Sequence, residues 1–131
     1  MVRLRFAPSP TGYLHVGGLR TALFSFLYAQ QQGGRFVFRL EDTDQQRLVE
    51  GSEQDLLQML QWAGVNCDEG PNIGGEYGPY RQSERLILYQ DHLQILMDSG
   101  HAYPCFCTQE RLYNLKQQQK AQGLNPKYDG Y

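Results

Sequence analysis

Lysine is scarce in this chain, and acids are missing from its opening. The three lysines, Lys116, Lys120 and Lys127, all fall near the end. No Gly-Lys-Ser/Thr phosphate loop can therefore be written, and no Gly-x-Gly-x-x-Gly dinucleotide fingerprint is present either. No apolar run approaches the ~20 residues that cross a bilayer. The start, MVRLRFAPSP, lacks the apolar stretch and cleavage site of a secretory signal, so a cytoplasmic protein without membrane contact is expected. Cysteine is limited to three residues, an odd number that fits no disulfide framework and suits a reducing compartment. A composition of 40% hydrophobic and 20% charged residues excludes disorder and fits a soluble globular domain.

What is present is unevenly distributed. Residues 1–40 hold five arginines and no acid, residues 41–100 hold twelve acids against three arginines, and residues 101–131 hold four bases against two acids. A basic opening segment is what an anionic ligand requires, although scattered solvated arginines give the same count.

Residues 3–7 alternate in polarity and run into Pro8-Ser9-Pro10-Thr11-Gly12, which predicts a short strand ended by a rigid turn. From Gly17 onward, Leu19, Ala22, Leu23, Phe26 and Leu27 recur at helical spacing, with Gly33 and Gly34 as the stop. Residues 35–40, RFVFRL, are aromatic and β-branched enough for a second strand, which delivers Glu41, Asp42 and Asp44. Such a unit closes as a right-handed crossover with parallel strands, and ligands bind outside the carboxyl ends of those strands. Ser52 is expected to cap a helix to about Ala63, with Asp55 completing a capping box. Residues 68–80 read as a surface loop, and Ser83 is expected to open a packed helix carrying Leu86, Leu88, Leu93, Ile95 and Leu96. HAYPCFC over residues 101–107 reads as a short strand, and Thr108 is expected to cap a polar helix to about Gln122. The chain then stops in mid-motif.

Between the first strand and its helix lies PSPTGYLHVGG. A helix amino terminus offers unpaired N–H groups and roughly half a positive charge, and Gly17 and Gly18 let a phosphate approach the backbone. His15 alone is poor evidence for a phosphate-facing group, since one histidine before a helix is more often a cap or a packed residue. The acids Glu41, Asp42 and Asp44 read equally as a solvated loop or as a binding cluster.

Arg5-Phe6-Ala7-Pro8-Ser9-Pro10-Thr11-Gly12 followed by Leu14-His15-Val16-Gly17-Gly18 resembles the first signature of class I aminoacyl-tRNA synthetases, in the form used by glutamyl- and glutaminyl-tRNA synthetases. The His-Ile-Gly-His consensus is met at His15 and Gly17. Val16 is a mild change, and Gly18 replaces the final histidine, a departure seen widely in the glutamyl branch. Similarity continues through RLEDTD, DEGP, GPYRQSERL and YDG, across nearly the whole chain. GPYRQSERL favours the bacterial-type glutamyl-tRNA synthetases, a type shared with organelles, over the shorter relatives that glutamylate a modified base in tRNA.

The resemblance implies an α/β fold. A Rossmann-like parallel-sheet nucleotide-binding domain would have its first half in residues 1–100, and a truncated acceptor-stem-binding insertion would begin over residues 101–131. It implies that ATP, accompanied by Mg2+, and glutamate form an adenylate, and that the glutamyl group passes to tRNA(Glu) on a monomeric parent enzyme. Arg5, Ala7, Ser9 and Glu41 would hold glutamate, with Arg5 on the side-chain carboxylate and Glu41 on the ammonium group. Pro8, Thr11, Gly12, His15, Gly17 and Gly18 would hold ATP, the last three as the catalytic signature. The family's second signature, a loop near Lys-Met-Ser-Lys-Ser, is absent, so the chain by itself is expected not to aminoacylate. Two rivals stay open: a glutamyl-Q tRNA(Asp) synthetase-like modifying enzyme, and a non-catalytic nucleotide-binding fragment.

Cys105-x-Cys107 supplies two thiolates able to reach one tetrahedral ion, half of a structural zinc site. Some members of the resembling family carry this pair and complete the Zn2+ site near the matching Tyr-Asp-Gly, which makes Tyr128 a third candidate ligand. Cys67 reads as plain packing.

Overall fold

The computed structural model describes residues 1–130. They fall into two compact units, Met1–Tyr89 and Gln90–Tyr131. The first opens with β1 (Arg3–Phe6), α1 (Val16–Gln31) and β2 (Arg35–Phe38), and β1 pairs with β2 in parallel, Arg5 opposite Val37. This is the expected crossover unit. α1 ends where Gly33 takes a left-handed φ of +56° and the Gly34 N–H returns to the Ala29 carbonyl, a turn that suits glycine. A Cβ on Gly34 would collide with the Val2 carbonyl, so glycine is also what lets β1 and β2 approach at their start.

Alternation decides which face of this pair is buried. Phe6, Phe36 and Phe38 turn toward Ala22 and Ala29 of α1, and Phe26 meets Phe36 edge to face at 5.7 Å. Leu56 and Leu60 of α2 (Ser52–Trp62), together with Val65, complete the core. Each such fully buried side chain contributes about 1.5–3 kcal/mol. Cys67 packs against this core as expected, and burial pushes its thiol up to about 11.

Four local expectations are corrected. Ser52 does not cap α2: Gly51, left-handed at φ 77°, stands at that position, and the Ser52 hydroxyl donates instead to the Pro10 carbonyl at 2.9 Å. Asp55 makes no capping box either, because its carboxylate is taken by Leu14 N–H. The 68–80 stretch is not simply a surface loop. Glu69 and Tyr80 are buried, and residues 69 and 81 form parallel bridges with Val37 and Leu40, extending the sheet beyond β2. Ser83 lies inside a 3-10 turn (Gln82–Arg85), and α3 (Leu86–Asp98) follows with no buried residue, where a packed helix was expected.

The second unit holds residues 101–107 without regular structure rather than as a strand. Pro104 has no N–H to donate, and no neighbouring strand is available there. α4 (Gln109–Ala121) is capped by Thr108, whose hydroxyl accepts from Arg111 N–H at 3.2 Å, as expected.

Candidate active site

The loop from Pro8 to Leu14 leaves the carboxyl end of β1 and is fixed at four points by chemistry outside itself. Pro8 O accepts from Glu41 N–H at 2.9 Å, and Pro10 O accepts from Val49 N–H at 3.0 Å and from the Ser52 hydroxyl. Leu14 N–H donates to Asp55 Oδ2 at 3.1 Å. Buried backbone groups need partners, and here the first turn of α2 supplies two of them.

His15 caps α1 from extended backbone, its Nδ1 accepting from Gly17 N–H at 3.1 Å. The cap reading of this histidine is met. With Nδ1 accepting, the neutral ring carries its proton on Nε2, which leaves that N–H as a donor beyond the helix end. No acid stands in the first turn of α1 to offset the helix dipole. Cβ atoms on Gly17 and Gly18 would come within 3.0 Å of the His15 ring and of Leu14 Cδ1, so these glycines also keep the ring and the leucine seated.

Pro8, Ser9, Thr11, Gly12, His15 and Gly18 line one cavity of about 460 Å3, floored by Phe6, Leu14 and Leu56. The residues expected to meet ATP are in this way brought together, with Gly17 adjoining. The four expected to meet glutamate are not enclosed by a single cavity. Ser9 faces the cavity just described, whereas Arg5 lines a second one of about 230 Å3 with Arg3, Val37, Arg39, Tyr77, Tyr80 and Arg85. Strand alternation is the reason: Arg3 and Arg5 project from the face of β1 opposite α1. Ala7 is half-buried and lines neither cavity, and Glu41 is tied to Arg39, whose Nε donates at 2.8 Å.

The other acids beyond β2 have structural partners. Asp42, 8% exposed, accepts from Ser83 N–H at 2.9 Å and from the Ser83 hydroxyl, and Asp44 pairs with Arg47 at 2.6 Å. Sequence reasoning gave Asp55 a capping role and missed Glu69 and Tyr80. Only their places in DEGP and GPYRQSERL pointed toward those two.

In the second unit Cys105, Cys107 and Tyr128 come together, the phenol oxygen 3.1 Å from Cys105 Sγ and 3.7 Å from Cys107 Sγ. The hydrogen bond from Tyr128 holds the Cys105 thiol below its usual range and pushes the phenol above its own. Arg111 donates to Cys107 Sγ at 3.3 Å and pairs with Asp129 at 2.7 Å. As a zinc site the described residues supply three of the four ligands that a tetrahedral ion needs. Among the described residues no group of three or more His, Cys, Asp or Glu side chains is arranged to hold a metal.

A family model for the class I tRNA synthetases (E and Q), catalytic domain, matches residues 1–131. The chain belongs to this family. It is 59% identical over 128 residues to a glutamate–tRNA ligase of Pelodictyon phaeoclathratiforme, covering 98% of this chain and 26% of that protein. The Bacillus subtilis glutamate–tRNA ligase is 52% identical over 129 residues, with 98% and 27% covered. The fold superimposes on the crystal structure of a glutamate–tRNA synthetase from Elizabethkingia anophelis with a TM-score of 0.92 at 46% identity, covering 98% of this chain and 26% of that one. A glutamate–tRNA ligase from Elizabethkingia meningosepticum, solved in complex with its amino acid, gives 0.91. The chain thus spans about a quarter of the length of the relatives it matches, and the parallel α/β arrangement is that of the family's catalytic domain. No helix among the described residues is long and apolar enough to cross a membrane.

Proposed function

We propose that this chain is the part of a glutamate–tRNA ligase that carries the first signature motif, with its ATP site, and much of the glutamate pocket. The observation that carries the reading is the cavity at the amino terminus of α1, lined by Pro8, Ser9, Thr11 and Gly12 of the loop together with His15 and Gly18. In this reading Pro8, Thr11, Gly12, Gly17 and Gly18 seat the nucleotide. His15 donates to the phosphates as negative charge develops at the α-phosphorus, a stabilisation by a fixed donor rather than by a covalent intermediate. Arg5 pairs with the side-chain carboxylate of glutamate, while Ser9 and Ala7 shape the pocket. Glu41 turns from Arg39 to the substrate ammonium group.

ATP and Mg2+ are used across class I synthetases, and the magnesium enters with the triphosphate as part of the substrate. The activated glutamyl group would pass to tRNA(Glu) on a monomeric, cytoplasmic enzyme. Residues 1–100 would be the first half of the catalytic domain and residues 101–131 the start of the acceptor-stem-binding insertion. Zn2+ at Cys105 and Cys107 would need a ligand beyond those described.

Glutamate-dependent ATP–pyrophosphate exchange by the full-length enzyme carrying this segment tests the reading. Exchange is expected, with none from the 131-residue chain, which has no Lys-Met-Ser-Lys-Ser run. Exchange with another amino acid, and none with glutamate, would overturn it.

A further inference from the structure

The cavity beside β1 is lined by four guanidinium groups, Arg3, Arg5, Arg39 and Arg85. Three are engaged inside the protein. Arg39 meets Glu41, and Arg85 donates to the carbonyls of Tyr77 and Pro79 at 3.1 and 2.8 Å. Arg3 Nη2 donates to Glu69 Oε2 at 2.6 Å, and its Cζ lies 3.9 Å from the centre of the Tyr77 ring, while its buried Nε has no hydrogen-bond partner among the described residues. Arg5, on the same face of β1 two residues on, makes no hydrogen bond or ion pair among the described residues.

Glu69 is 5% exposed and is itself over-determined. Its backbone carbonyl accepts from Phe38 N–H at 2.9 Å, and its Oε2 also accepts from the buried Tyr80 hydroxyl, which in turn accepts from Tyr77 N–H at 3.2 Å. Gly75, at φ +143°, leaves room for this contact; a Cβ there would strike both the Tyr80 hydroxyl and Glu69. Such a buried, shared carboxylate is placed to fix a charge balance rather than to strengthen the fold.

We propose that Glu69 is a positioning and specificity-determining residue: by occupying Arg3 it leaves Arg5 as the single unpartnered guanidinium in the cavity. The site then accepts an amino acid with one carboxylate at its far end and disfavours one with two. This rests on the reading that Arg5 receives the substrate's side-chain carboxylate.

The test compares glutamate with γ-carboxyglutamate, which carries two carboxylates at that end, in pyrophosphate exchange by the full-length enzyme. Glu69→Gln frees Arg3, and the ratio of Ki for γ-carboxyglutamate to KM for glutamate should fall about tenfold, the size of one charge-assisted hydrogen bond. The double variant Arg3→Gln with Glu69→Gln should restore the wild-type ratio. A purely structural Glu69 would weaken both ligands equally, and an unchanged ratio would overturn the proposal. If Glu69→Gln does not fold, Arg3→Gln reads the balance from the other side. The Glu69 carboxylate then faces the ligand, and γ-carboxyglutamate should lose more affinity than glutamate; equal losses overturn the idea. Arg5→Ala separates the two claims: glutamate KM unmoved by Arg5→Ala sinks the underlying reading, whereas a raised KM with an unmoved ratio in Glu69→Gln sinks the inference alone.

Discussion

Asp55 Oδ2 accepts the backbone N–H of Leu14 at 3.1 Å, across forty-one positions of sequence. One turn of α2 is thereby joined to the residue immediately before the α1 cap. Together with the Ser52 hydroxyl on Pro10 O, this contact makes the signature loop depend on the first turn of α2.

Removing that contact should loosen the loop. Asp55→Ala leaves a part-buried N–H unpaired, costing about 1–3 kcal/mol of stability. Because the loop lines the expected nucleotide cavity, KM for ATP should rise more than KM for glutamate. Chemical denaturation of the chain and exchange kinetics of the full-length enzyme measure the two effects; equal stability and unchanged KM for ATP would show that the loop holds its own shape.

His15 combines a cap and a donor, and two substitutions separate them. His15→Ala loses the cap, about 0.5–2 kcal/mol of stability, and also the Nε2 donor. His15→Asn can still cap α1 but has no atom where Nε2 stood. Stability should recover in the asparagine variant while the exchange rate stays low, about a hundredfold or more below the parent. Recovery of the rate along with stability would reduce His15 to a cap.

Arg5→Ala should weaken glutamate far more than ATP, since the lost partner is the substrate carboxylate. Glutamate and ATP dissociation constants from calorimetry on the full-length enzyme decide this, and equal losses for both ligands would remove Arg5 from the glutamate pocket.

The cysteines should differ in their response to pH. The hydrogen bond from Tyr128 lowers the Cys105 pKa, so its thiolate persists to lower pH than that of an ordinary thiol, while Cys67, raised by burial to about 11, stays protonated until strongly alkaline conditions. Alkylation followed by peptide mass mapping near pH 8 should label Cys105 and spare Cys67. Tyr128→Phe should slow the labelling of Cys105, and labelling of Cys67 first would contradict the assignment.

Much of this protein is set by local sequence. The parallel unit follows from alternation in residues 3–7 and 35–40, from the helical spacing between Leu19 and Leu27, and from glycines where the chain must turn. The caps of α1 and α4 are short-range hydrogen bonds, so His15 and Thr108 were legible as helix starts. The contacts that decide the site are long-range, and local pattern says nothing of them. Ser52 and Asp55 have the composition of a capping box, yet their oxygens are drawn to Pro10 and Leu14 because only the folded chain brings those groups close. Residues 69 and 80 sit in a Gly- and Pro-rich stretch that reads as loop, and pairing beside β2 buries them. Tertiary structure likewise splits the arginines: all share one charge in the sequence, but Glu69 and Glu41 engage two of those beside β1, and among the described residues Arg5 has no internal partner, because strand alternation turns these side chains into one small cavity.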